Sequence, residues 1–277
     1  MLAIIKITFR EALGRKVVLI SLILAAAFLG LYGTGVHYTA KDLASHPNPM
    51  LAQVIYPQIL SFGLYFGGFI VSFLAIFSAA GAIASEIESG IIQTIIPKPV
   101  RRYEILLGKF VGISLFMVLY AAVFFAVISM LMHFKTGFEL TGQWHALALF
   151  ALQPIVLLAV TLCGSILLPT IANGIVMFML YALAVIGGVV EQIGWLINST
   201  VLQQTGIVAS LIMPVDALYR KIVHLLISPS NNPLQAIQQM GPFGSMSEPS
   251  VWMVVYAMLY VVFFTGLAVY LFGKRDI

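Results

Sequence analysis

The densest concentration of reactive side chains is Ser85–Lys109, SEIESGIIQTIIPKPVRRYEILLGK. Glu86 and Glu88 stand two apart, Gly90 permits a sharp backbone break, and Ile91, Ile92, Ile95 and Ile96 recur at helical spacing. Pro97 and Pro99 end that piece, and Arg101, Arg102 and Glu104 follow. A loop that only reconnects two helices has no need of a short apolar-faced helix bracketed by acid and base. The pattern reads as a docking surface, against the plainer reading of a basic loop with an interfacial Tyr103. Glu191, followed by Gln192 and Gly194, is an acid near the outer end of an apolar run, where it serves as a gate or simply reaches the interface. Asp216 and Arg220, four apart with Tyr219 beside them, fit a surface ion pair, an outer gate or a contact with an outer-side protein.

Catalytic residues are not expected. The histidines His37, His46, His133, His145 and His224 show no tight ligand spacing, so no metal site is assigned even with Met50 and Met213 nearby in the chain. Cys163 lies in an apolar stretch and is the single cysteine, which excludes a disulfide framework and a thiolate cluster. Gly108-Lys109 and Gly273-Lys274 are followed by Phe110 and Arg275 instead of Ser or Thr, so neither ends a phosphate-binding P-loop.

These residues hang on a chain built for lipid. With 61% hydrophobic and 9% charged residues in 277, there is more apolar surface than a soluble domain could bury. The formal charge of +4 is scattered between apolar runs, not clustered on one face as nucleic acid would require. Windows long enough to cross the hydrocarbon run over 17–36, 54–83, 105–132, 146–168, 171–193 and 251–272. The fold class is therefore an all-α membrane protein, residues 1–277 forming one transmembrane domain of six spans. The first window is too long for a signal-peptide core and reads as retained. Lys6, Arg10, Arg15, Lys16, Lys98, Arg101, Arg102, Lys109, Lys274 and Arg275 fall on one side of the membrane, against Lys41, Lys135, Arg220 and Lys221 on the other. Both termini are thus expected in the cytoplasm of a multi-pass protein of the plasma membrane, in a bacterial or archaeal cell.

Around the spans, residues 1–16 place Leu2, Ile5, Phe9 and Leu13 opposite Lys6, Arg10 and Arg15, an amphipathic helix on the inner leaflet. Pro169 makes a tight hairpin of spans four and five. Residues 194–250 form an outer segment with an amphipathic helix after Pro214 and a Ser-, Asn-, Pro- and Gly-rich loop. Pro154, beside Gln153, is expected to kink span four. Gly63-x-x-x-Gly67-Gly68 permits close helix approach, either between two subunits or within one bundle.

Glu86, Glu88, Gly90, Pro99, Arg102, Leu106, Gly108 and Lys109 fit the pattern E-x-E-x-G…P-x-x-R-x-x-x-L-x-G-K. In this the chain resembles the membrane subunits of ABC transporters of the type-two permease class, and the likeness in span number and hairpin extends along the whole chain. PVDALYR at Pro214–Arg220 is similar to an outer segment in the permease of the nitrous-oxide-reductase maturation system. The resemblance implies a coupling helix within 85–104 that seats in a separate cytoplasmic ATPase subunit, with Glu86, Glu88, Gly90, Pro99, Arg101 and Arg102 as coupling residues. It implies ATP and Mg in that partner and no cofactor in this chain, and pairing as a homodimer or with a similar permease. Export of a lipid-like, amphipathic or peptide cargo, or work on an outer-side partner, is the expected activity. A secondary transporter is the alternative, although neither inverted repeats nor matched broken helices are visible. So is an intramembrane enzyme, although no His or Asp lies inside any window.

Overall fold

The computed structural model describes residues 2–46, 48–90, 101–138, 140–227, 243–245 and 249–275. Among these residues there are ten helices and no strand: α1 Leu2–Gly14, α2 Lys16–Ser45, α3 Pro49–Ala80, α4 Ala84–Glu88, α5 Arg102–Thr136, α6 Gln143–Leu167, α7 Thr170–Leu196, α8 Thr200–Ile212, α9 Val215–Leu226 and α10 Val251–Lys274. Six stretches are long and apolar enough to cross a membrane, namely α2, α3 with α4, α5, α6, α7 and α10. Most outrun the windows expected of them, α2 continuing to Ser45, because a helix extends past the hydrocarbon into a zone where polar residues are tolerated. Local chemistry sets the ends. Asn48 caps α3 by accepting from the backbone N–H groups of Met50 and Leu51, with Pro49 at the first helical position. Gly137, at φ +66°, closes α5 in the left-handed conformation.

α3 and α6 form the centre, 67% of each apolar window being buried, whereas α2 (22%) and α10 (11%) keep broad faces outward. The bundle has a basic end, where the α1–α2 junction touches Ser78 and the C-terminal end of α10 touches Arg102, and a distal end opposite. The start of α1 and the end of α10 lie at the basic end. α1 does more than lie along a surface: it packs on α5, where Gly112 lets the α1 backbone come close. A Cβ there would stand 3.0 Å from the Ile5 carbonyl, while Phe9 meets Phe116 edge to face. Leu2, Ile7 and Leu13 remain exposed.

The glycines considered for a subunit interface are used inside the chain. A Cβ on Gly63 would lie 2.6 Å from the Tyr32 ring of α2, one on Gly67 2.6 Å from the Phe124 ring of α5, and one on Gly68 3.3 Å from the Gln153 side-chain oxygen of α6. Aromatic rings of neighbouring spans fill the space that a second subunit would need. Gly67→Leu is expected to lower stability by about 1–3 kcal/mol through overpacking and to leave the oligomeric state unchanged. Scanning fluorimetry with size-exclusion chromatography in detergent checks this, and an unchanged melting point with an altered oligomer would return Gly67 to a subunit contact.

Between spans five and six the chain folds back on itself. α8 runs antiparallel along α7, so close that a Cβ on Gly194 would lie 2.7 Å from the Gln203 nitrogen and one on Gly206 2.7 Å from the Gly187 carbonyl. After Met213 and Pro214 the helix axis turns by 107° into α9. Two tyrosines one turn apart on α10 hold this elbow, Tyr256 and Tyr260 donating to the carbonyls of Leu211 and Ile212 at 2.6 Å each. They thereby serve carbonyls that the end of α8 leaves without helical donors. α9 packs on α6 and touches α3, α7 and α8. It was expected on the outer surface. Instead Val215 to Val223 is buried without interruption, because its polar face meets charged partners on α7 and its apolar face meets the core.

Candidate functional site

At the basic end, α3 unwinds over Gly81–Ile83 before α4 and leads toward the segment joining spans two and three. A helix end leaves carbonyls without intrahelical donors, and here three elements supply them. Arg15, between α1 and α2, donates to the Ser78 carbonyl at 2.7 Å. Asn173 of α7 donates to the Ala80 carbonyl at 3.1 Å and to that of Thr161 at 2.9 Å. Lys109 of α5 donates to the Ala82 carbonyl at 2.5 Å and pairs with Glu86 at 2.5 Å. Lys109 is nearly buried, so the two acceptors together hold a charge that would be costly alone. Glu88 reaches across to the start of α7, accepting from the Thr170 backbone at 2.8 Å and its hydroxyl at 3.2 Å. A carboxylate there satisfies an orphan N–H and faces the positive end of the helix dipole.

The acids expected on a docking face are therefore turned toward their own chain. Gly90, with φ +72°, ends the described stretch in the left-handed region, and nothing lies within 4 Å of the place of its Cβ. Arg101 is exposed and donates to the Tyr103 hydroxyl at 3.1 Å. Arg102 donates to the Arg275 carbonyl at 2.8 Å, tying the start of α5 to the end of α10. Pro99 and residues 91–97, which carry the expected coupling helix, lie outside the described residues. Thr170 and Asn173 were not singled out from sequence, and Arg15 was read only as a basic residue of the amphipathic start. Asn173, an amide near the start of an apolar span, was the available signal.

At the distal end, α7, α8 and α9 enclose a charged cluster. Arg220 forks onto Glu191, with Nη1 to Oε1 at 2.5 Å and Nη2 to Oε2 at 2.9 Å. Its Nη2 also donates to Ser210 at 3.1 Å, and its Nε stands 3.0 Å from Asp216 Oδ2. The Asp216–Arg220 pair exists but not at a surface: Arg220 is 2% and Asp216 5% exposed. Gly188 and Gly206 make the room, since a Cβ on the first would overlap the Asp216 carboxylate and one on the second the Glu191 Cβ. Gly188 is eight residues from the end of α7, so α9 lies about 12 Å below that end at 1.5 Å per residue. The Tyr219 hydroxyl shares its hydrogen between the carbonyls of Ser61 at 3.0 Å and Phe243 at 2.6 Å. Asp216 and Gln153 also border a cavity of about 20 Å³, room for one water. The structure thus brings Glu191, Asp216, Tyr219 and Arg220 together, far from the cluster around Glu86 and Glu88. Among the described residues, no three His, Cys, Asp or Glu side chains gather as a metal site.

Compared with models of protein families, residues 2–277 match that described as ABC-2 family transporter protein. None of the curated proteins gives a match.

Proposed function

The chain belongs to the ABC-2 transporter family, and from that premise we propose that it is the subunit through which ATP hydrolysis on separate cytoplasmic ATPase chains moves a membrane pathway. The observation that carries this reading is the clamp on α4, which ties the lead-in to the segment joining spans two and three to α5 through Glu86 and Lys109 and to α7 through Glu88 and Thr170. A push on that segment is thereby delivered to two spans at once. The excess of basic residues supports a cytoplasmic position for this end, on the side where the ATPase would bind ATP and Mg. Two such chains, identical or similar, enclose the pathway, and the exposed faces of α2 and α10 supply surface for lipid or for the second chain. The cargo is exported and is lipid-like, amphipathic or peptide. At the distal end Glu191, Asp216, Tyr219 and Arg220 fix α8 and α9 as the outer gate.

The test is reconstitution with the ATPase in vesicles. Wild-type protein co-purifies with the ATPase and raises its ATP turnover. Glu88→Arg removes the acceptor at the start of α7 and is expected to reduce that stimulation about fivefold or more, within the range of coupling free energies, while co-purification persists. Full stimulation in Glu88→Arg would sink the clamp as the route of coupling.

A further inference from the structure

A cavity of about 450 Å³ opens at the distal end between α7, α8, α9 and the start of α10. Its size lies within the range that encloses small-molecule ligands. Its floor is the inner charged cluster and its walls are aromatic: Glu191, Arg220 and Ser210 below, Trp195, Trp252 and Tyr256 around. We infer that this cavity binds an amphiphile with a cationic head group, the head against Glu191 and the aromatic rings and the chain along the lipid-facing side of α10.

The donors already engaged and the aromatic walls select the sign. Two carboxylates, Glu191 and Asp216, bear on one guanidinium, and Nε, Nη1 and Nη2 of Arg220 are each already directed at Glu191, Asp216 or Ser210. Arg220 therefore has little left with which to grip an anion. Glu191 and Arg220 are the only charged residues among those that line the cavity in the described chain. The rings act in the same sense, because indole and phenol faces attract a desolvated ammonium. Tyr256 has its hydroxyl committed to the Leu211 carbonyl and so offers its ring. Beyond the head, Val255, Leu259 and Val262 of α10 are exposed apolar side chains that continue the wall toward lipid.

The inference names a cargo class and rests on the transporter reading only for the step of transport, so binding is tested on the permease alone. The chain has three tryptophans. Trp195 and Trp252 line the cavity, while Trp144 is exposed on α6 away from it. In uncharged maltoside micelles, the Trp144→Phe protein is titrated with a decyl-dimethylammonium nitroxide, which quenches indole at contact, and with a decyl-sulfonate nitroxide of the same length. Because Trp144 borders a separate cavity, the second reporter is octyl N-acetyltryptophanate dissolved in the same micelles, which measures partition into the micelle. Saturable quenching by the cation in the protein, at about tenfold lower concentration than by the anion, a difference of roughly 1.4 kcal/mol, supports the site. Equal half-saturation for the two heads, preference for the anion, or the same curve from both reporters overturns it. With the ATPase present, quenching that persists without any rise in ATP turnover keeps the site and defeats the transport reading instead.

Discussion

Arg220→Met unfolds at a clearly lower temperature than the wild type, the loss amounting to about 3–5 kcal/mol, the usual cost of removing one partner from a buried ion pair. The methionine keeps the volume but removes the guanidinium that pairs with both Glu191 and Asp216, two carboxylates almost fully buried. It also removes the fork on Glu191 and the bond to Ser210. The triple variant Glu191→Gln, Asp216→Asn, Arg220→Met removes all three charges and is expected to regain most of the loss, since a buried ionic group replaced as a whole by neutral residues is often tolerated. Scanning fluorimetry of purified protein in one detergent compares the three. A wild-type melting point for Arg220→Met, or a triple variant weaker than the single one, would refute the account of a mutually dependent cluster.

Lys109→Met reduces the stimulation of ATP turnover in the reconstituted complex by about tenfold, in the middle of the range expected for coupling between sites. The substitution strips the Ala82 carbonyl of its donor and Glu86 of its cation, so α4 loses its tie to α5 while Glu88 still holds it to α7. A segment pushed at one end then moves against a looser joint. Glu86→Gln added to Lys109→Met is expected to cost little more, because the two side chains act as one contact and their effects are not additive. If the double variant lost the product of both single effects, Glu86 and Lys109 would act independently and the clamp would be the wrong description.

What could be read from the chain differs between the spans and the sites. Long apolar windows marked all six spans because burial in lipid needs only apolar length, which is written locally. The surface reading of Asp216 and Arg220 on α9 failed for the same reason in reverse. That helix's alternation of apolar and polar faces reports that two environments differ, not that one of them is water. The partner of its polar face, Glu191, sits 29 residues away and on another helix. Glu88 and Thr170, 82 residues apart, were equally out of reach of a local window, so Glu88 was read as free to meet a partner protein. Gly63 and Gly67 announced a close approach without naming what approaches, and the answer, Tyr32 and Phe124, depends on how the spans are arranged. The segment Ser85–Lys109 was found because its acids, glycine and bases are close in the chain, although Glu86, Glu88, Arg102 and Lys109 proved to contact their own chain.

Gly188 bears on how such a sequence can drift. A Cβ at that position would overlap the Asp216 carboxylate, so even alanine there forces that buried side chain to move. The step is eased once the acid has shrunk or left, which also changes what Arg220 is paired with. The favoured order of substitutions is thus carboxylate before glycine. A descendant that carries a larger residue at 188 would be expected to have already rebuilt the charges of α9.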